Sequence, residues 1–191
     1  MRKRFAILFG FLCLGLLDTV LSYGMPINYE YTGFSVLWHW YLIGVLVFTR
    51  DKPLLLRFLI GSIAGLAYGM LFGSSLFTYW FFYTLSAVLI GFAEPWMNTI
   101  NKQFIVYLAF VLVFDLITFY LMNIGSTGVS LWTWLYRMEL ISVFASAFSI
   151  VCVMFMDNVM VRFFLIQRHL ERKQERKMMR SLHTDRLREY S

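Results

Sequence analysis

Long apolar segments separated by short polar breaks occupy the first 165 positions of the chain. Six segments are each close to the roughly 20 residues that a helix needs to cross a bilayer. They lie at 5–22, 33–49, 54–73, 76–96, 103–122 and 138–157. The pattern therefore predicts an all-α integral membrane protein, folded as a compact bundle of about six transmembrane helices.

The breaks between these segments have the composition of surface turns. Backbone groups left unpaired in hydrocarbon are costly, so the connections must reach water. Turn-forming residues occur at Gly24-Met25-Pro26, Arg50-Asp51-Lys52-Pro53 and Asn123-Ile124-Gly125-Ser126. The third and fourth segments are separated only by Phe72-Gly73-Ser74-Ser75, which favours a helical hairpin over one long helix.

Lysine and arginine are distributed unevenly between the two sides of this topology. Basic residues collect on the cytoplasmic side of membrane proteins. Those assigned to that side are Arg2, Lys3, Arg4, Arg50, Lys52, Arg57, Lys102 and nine more from Arg162 onward, which leaves Arg137 outside. The outer loops, around 23–32, 73–75 and 123–136, hold one charge, Glu30. They are rich in aromatic residues that suit an interfacial belt, such as Tyr29, Tyr31, Trp132, Trp134 and Tyr136. Both termini are therefore expected in the cytoplasm.

The chain divides into a transmembrane domain at 1–166 and a basic tail at 167–191. The tail holds eight basic and four acidic residues. It is expected to be helical and to lie near the inner leaflet, where it would either be attracted to anionic lipids or dock a cytoplasmic partner. At the other end, the apolar run after Arg4 is interrupted by Asp18 and has no small-x-small cleavage pattern, so it is interpreted as a retained helix rather than a signal.

Composition agrees with a membrane protein and argues against several classes of function. Hydrophobic residues make up 60% of the chain, and the mean hydropathy is +0.67. Cys13 and Cys152 are far apart and lack metal-ligand spacing, so neither a disulfide nor a metal site is predicted. Phosphate-binding loops and hydrolase motifs are not found, which disfavours an enzyme or a cofactor. The basic charge follows topology rather than forming a nucleic-acid surface.

The third segment carries glycines at four-residue steps, namely Gly61, Gly65, Gly69 and Gly73. These positions share one helical face, and no side chain projects from it. In lipid, such a smooth face holds helices together by close van der Waals packing. It is interpreted either as an internal packing surface or as a groove for a helix of another protein.

Ionisable residues within the apolar segments gather toward the outer half of the predicted bundle. They are Asp18, His39, Asp115, Arg137 and Glu139. Such residues are costly in a membrane and often functional. This outer polar cluster is interpreted as a structural ion-pair network, with Arg137 as counter-charge for Asp115, Asp18 or Glu139, or as a site for a ligand or partner. At the inner interface, Glu94 is expected to stay solvated or to meet Lys102.

Three stretches of the chain carry a family resemblance: GSIAGLAYGMLFGSSLF from Gly61 to Phe77, the aromatic segment that follows it, and VFDLITFY from Val113 to Tyr120. By their order and spacing, the chain between Gly33 and Phe164 resembles the rod shape-determining MreD family. Where the family often has an aspartate before the Gly-Ser turn, this chain has Gly69. The resemblance therefore implies no role for that carboxylate here.

The resemblance implies a non-enzymatic scaffold of the bacterial elongation machinery in the plasma membrane. Its partner would be an MreC-like protein with a single membrane span, with links to RodA, to a penicillin-binding transpeptidase and to MreB filaments, in support of lateral peptidoglycan synthesis and cell shape. The family's fold also resembles the substrate-binding S components of energy-coupling-factor transporters. A vitamin-binding S component is therefore the alternative function.

Overall fold

The computed structural model of the chain describes residues 2–25, 33–72, 75–123 and 130–189, and every regular element in these ranges is helical. The helices are α1 (Arg2–Gly24), α2 (Trp40–Thr49), α3 (Leu54–Leu71), α4 (Leu76–Ala93), α5 (Ile100–Asn123), α6 (Leu131–Trp134) and α7 (Leu140–Glu189). A 3-10 turn, Glu94–Trp96, follows α4, and a π-helical segment, Leu135–Glu139, lies between α6 and α7.

Five helices in the described ranges are long and apolar enough to cross a membrane. They cover Phe5–Gly24, Leu54–Leu71, Leu76–Trp96, Ile100–Leu121 and Leu131–Gln174. The prediction of an α-helical, multi-pass membrane protein is confirmed at this level. The third and fourth segments are two separate helices, since α3 ends at Leu71 and α4 begins at Leu76.

The second predicted span, 33–49, is only partly helical, so that prediction is wrong in its first half. Residues 34–39 are not helical, and α2 begins at Trp40 and has 10 residues. At 1.5 Å per residue, α2 covers about 15 Å, which is half of the roughly 30 Å hydrocarbon core. Hydropathy could not reveal this break, because the groups that satisfy the unwound backbone come from other helices.

The sixth predicted span, 138–157, also has the wrong boundaries. Helical structure begins at Leu131, where the Ser130 side chain accepts a hydrogen bond from the N–H group of Trp132. Helix α7 then extends through Glu189. The tryptophans assigned to an outer loop, Trp132 and Trp134, therefore lie in a helix, and Trp134 is buried.

Several sequence predictions fall outside the described residues. These are Gly73 of the glycine series, the turns at Pro26 and at 124–126, and the outer-loop residues Glu30, Tyr29 and Tyr31.

The chain forms two compact units, Met1–Met154 and Phe155–Ser191. In the first unit α2 is the central element: nine of its residues are buried, and it packs against α1, α3, α4 and α5. The second unit is helical through Glu189, and most of its described side chains are exposed. Its role at the inner leaflet stays a prediction.

The glycine face of α3 lies against α4 of the same chain. A Cβ atom added at Gly61 would lie 2.7 Å from the Ala87 Cβ, and one added at Gly65 would lie 2.7 Å from the Tyr79 carbonyl oxygen. At Gly69 the nearest atom would be the Leu76 Cα, at 3.0 Å. The backbones of α3 and α4 are in close contact along this face. In this structure the glycine face therefore packs internally against α4 and does not form an open groove.

We predict that Gly65→Ala lowers the free energy of unfolding by about 1–3 kcal/mol, because the added methyl group overlaps the α4 backbone, which cannot rotate away as a side chain could. The measurement is thermal or denaturant unfolding of the purified protein in lipid-detergent micelles.

The matched control is Gly10→Ala in α1, where an added Cβ meets nothing within 4 Å. This variant should be as stable as wild type or slightly more stable, since alanine favours helix. Equal stability of the two variants would contradict close packing of α3 on α4.

Candidate functional site

The N-terminus of α2 is capped by a carboxylate from another helix. The N–H groups of Trp40 and Tyr41 donate to Asp18 Oδ1 and Oδ2 respectively, each at 2.9 Å. Asp18 lies on α1 and is only 2% exposed. The first N–H groups of a helix have no partner within it and carry partial positive charge, so a carboxylate there both accepts hydrogen bonds and is stabilised by the dipole.

The extended segment before α2 is paired through its backbone to the helix that starts at Leu131. The Ser35 N–H group donates to the Arg137 carbonyl oxygen at 3.1 Å. The Leu37 N–H group donates to Ser142 Oγ at 2.9 Å. Non-helical backbone at membrane depth is tolerated only where protein groups or a cavity satisfy it, and these bonds meet that requirement.

His39 joins the start of α2 to α5 and α7. Its Nε2 lies 2.9 Å from Asp115 Oδ1, and its Nδ1 lies 3.0 Å from Ser146 Oγ. The tautomer with its hydrogen on Nε2 satisfies both contacts, because Nε2–H donates to Asp115 and Nδ1 accepts from the Ser146 hydroxyl. His39 and Asp115 are 6% and 3% exposed, so the pair is sealed from solvent.

Not every buried polar group is paired in this way: the indole nitrogens of Trp38 and Trp40 have no hydrogen-bond partner in the described part of the chain, and Glu139 leaves a whole carboxylate unpaired. It ends the π-helical segment, is 4% exposed, and interacts electrostatically with Asp115 and His39. Both of its carboxylate oxygens, and Asp115 Oδ2, are buried without a hydrogen-bond partner in the described part of the chain. Buried polar atoms are nearly always paired, so unpaired oxygens on two carboxylates that interact electrostatically mark a candidate site. π-helical segments also occur frequently at functional sites.

The outer polar cluster is therefore assembled differently from the expectation based on charge. His39, rather than Arg137, hydrogen-bonds to Asp115, and Asp18 accepts from backbone N–H groups. Arg137 contributes its carbonyl oxygen to Ser35, and the Glu139 oxygens accept no hydrogen bond from it. Helix ends and imidazole supply the complementary partners, which a comparison of side-chain charges does not reveal.

Three serines of α7 that sequence analysis missed belong to this region. Ser142, Ser146 and Ser149 are each 0% exposed. Their spacing of four and three residues places them on one helical face, and this periodicity was a usable signal. Ser142 also donates to the Met138 carbonyl oxygen at 2.8 Å, so one hydroxyl serves both its own helix and the extended segment.

The other end of α2 is held by Arg57 of α3. Its guanidinium donates to the carbonyl oxygens of Thr49, at 3.2 Å, and Arg50, at 2.8 Å, and to the Glu94 carboxylate. Of the two expectations for Glu94, the pairing with Lys102 is wrong, because its carboxylate pairs with Arg57, while its side chain stays 49% exposed. Gly91 makes this possible, because a Cβ there would overlap the guanidinium. The last carbonyl groups of a helix lack partners, so Arg57 caps this end as Asp18 caps the other.

A lateral groove runs between α1 and α3, with α2 as its floor. Its cavity measures about 350 Å³. The walls are nearly all apolar and consist of Ile7, Leu8, Phe11, Leu12, Tyr41, Phe48, Ile60, Ile63, Ala64, Ala67, Leu71 and Phe72. The one polar side chain among them, Tyr41, donates its hydroxyl to the Ala64 carbonyl oxygen at 3.1 Å. The lateral groove therefore presents hydrocarbon surface only.

In the described ranges, no group of three His, Cys, Asp or Glu side chains is arranged to hold a metal ion. The polar residues instead do two things: they fasten both ends of α2, and they leave the Glu139 and Asp115 oxygens unsatisfied.

We predict that Asp18→Asn lowers the free energy of unfolding by about 1–3 kcal/mol, because the amide offers one acceptor oxygen where two N–H groups need acceptors. The measurement is unfolding in lipid-detergent micelles. Asp51→Asn is the control: Asp51 is exposed and pairs only with neighbouring Arg50 in the described structure, so its loss should change stability by less than about 1 kcal/mol. Equal effects of the two changes would argue against the cap.

No protein family model, curated protein or solved structure matches the chain.

Proposed function

We propose that this protein is a membrane-embedded scaffold that docks the transmembrane helix of a partner. In its specific form, the proposal is an MreD-like subunit of the bacterial elongation machinery, in the plasma membrane with both termini cytoplasmic, which binds an MreC-like protein with a single span. The resemblance between Gly33 and Phe164 and the inside placement of basic residues support this form.

The lateral groove is the observation that carries the proposal. Binding sites for small molecules are typically about 300–1,000 Å³ and mostly apolar, with a few polar groups that fix the orientation of the ligand. The groove has the volume, about 350 Å³, but its one hydroxyl is already bonded to the Ala64 carbonyl. Apolar side chains of another membrane helix are the ligand that such a surface suits, because helix association in lipid depends on shape and van der Waals contact.

The distribution of polar groups agrees with a scaffold. Asp18 and Arg57 serve the two ends of α2, and His39 ties α2 to α5 and α7. These bonds make the floor of the lateral groove rigid, since α2 forms that floor. A rigid floor lowers the entropic cost of docking a partner helix.

We predict that Ala67→Phe reduces co-purification of the partner from native membranes by on the order of 10-fold or more, because the added ring fills the lateral groove. The measurement is affinity purification of the tagged chain, with the captured single-span proteins identified and quantified by mass spectrometry.

Met70→Phe is the matched control. Met70 lies one turn along α3 and is 70% exposed, outside the groove lining. This variant should retain its partner. Full retention by Ala67→Phe at wild-type expression, or equal loss with both variants, would contradict docking in the lateral groove.

A vitamin-binding S component is the second candidate, and the orphan oxygens of Glu139 and Asp115 favour it. A vitamin with a cationic group would bind near these atoms and raise the thermal unfolding midpoint of the purified protein. No shift with any vitamin, together with capture of a single-span partner, would exclude this candidate in favour of the scaffold.

A further inference from the structure

The Glu139 carboxylate lies in an environment where a bare negative charge is very costly. It is 4% exposed, and neither oxygen has a hydrogen-bond donor within the described residues. Removing an ionised carboxylate from water without a partner is strongly unfavourable, even after the protein relaxes around it. Some species must therefore compensate its charge when the protein is folded.

The surrounding groups do not supply that compensation. Asp115 on α5 interacts electrostatically with Glu139 and has an unpaired Oδ2, and like charges in one buried site repel each other. His39, before α2, is engaged by Asp115 Oδ1 and Ser146. Asp18 on α1 interacts electrostatically with His39, and its two oxygens already accept from the N–H groups of Trp40 and Tyr41. Arg137 lies on the same segment as Glu139 but does not hydrogen-bond to it.

We propose that Glu139 and Asp115 form a binding site for a single proton in the membrane domain. The proton comes from water and bonds to a Glu139 oxygen, which converts the carboxylate to a neutral acid. Two neighbouring carboxylates commonly hold one proton between them for this reason. The proton also gives the pair an O–H donor, which three orphan acceptor oxygens otherwise lack.

A proton fits these observations better than a metal ion. Metal ions in proteins bind several ligands at once, and no group of three His, Cys, Asp or Glu in the described ranges is arranged for that. The site is also connected to the start of α2. Asp115 hydrogen-bonds to His39, and the residue after His39, Trp40, begins α2. Loss of the proton would leave two repelling charges beside this joint and weaken the outer half of the bundle.

Infrared spectroscopy of the purified full-length protein in lipid nanodiscs tests the proposal, which does not depend on partner docking. At neutral pH, wild type should show the C=O stretching band of a protonated carboxylic acid, shifted in D2O. The band should be lost in Glu139→Gln and kept in Glu171→Gln, a change in an exposed tail carboxylate. Absence of the band from wild type, or its persistence in folded Glu139→Gln, would overturn the proposal.

Asp115→Asn provides a second variant that keeps Glu139. Removing the neighbouring negative charge makes proton release easier, so the band should disappear at a lower pH than in wild type. An unchanged titration would show that the two groups do not share the site.

Thermal unfolding separates a proton from other cations. The unfolding midpoint of wild type should fall as the pH is raised, because the folded state loses its proton, and it should not respond when NaCl or KCl replaces choline chloride. A sodium- or potassium-dependent rise in the midpoint would assign the site to a metal cation and overturn the proposal.

Discussion

The bond between the Asp18 carboxylate and the first two N–H groups of α2 is the interaction on which the rest of the bundle depends. A helix of 10 residues that begins inside an apolar body leaves positive N–H groups without water. Without an acceptor from a neighbouring helix, α2 would have to extend outward or unfold. Because Asp18 supplies both oxygens, α2 can be short, central and almost wholly buried.

Other polar side chains satisfy the backbone groups at the C-terminal end of α2 and in the segment before α2. Arg57 donates to the carbonyl oxygens of Thr49 and Arg50, and Ser142 Oγ accepts from the Leu37 N–H group. Glycines provide the room: Gly91 admits the Arg57 guanidinium, and the α3 glycines bring α4 to backbone contact. The polar groups of the interior thus mostly hold the fold, and Glu139 stands out because it does not.

Elements determined by local sequence could be predicted, whereas elements determined by contacts with distant residues could not. Helices α1, α3, α4 and α5 follow from apolar run length, which is a local property. The unwound residues 34–39 were missed because their partners, such as Ser142, lie about 100 positions away in the sequence. The glycine spacing predicted a packing face, but not which helix fills it.

The residues of the candidate site were found by a simple rule, that ionisable groups in apolar segments are costly and so have a reason to be there. The rule selected Asp18, His39, Asp115 and Glu139. The rule did not predict the partners of these residues, because charge alone suggested Arg137 as the counter-charge. In the structure, Asp18 accepts from the N-terminus of α2 and Asp115 hydrogen-bonds to the His39 imidazole. Backbone dipoles can be assigned as partners only once the helix boundaries are known.

The most direct test of this account is residue-resolved amide hydrogen exchange by NMR on the protein in lipid nanodiscs. The Leu37, Trp40 and Tyr41 amides should exchange as slowly as those within α2, because each donates to a buried acceptor. Exchange of Trp40 and Tyr41 at the rate of an exposed loop amide, such as that of Asn98, would contradict a helix start held by Asp18.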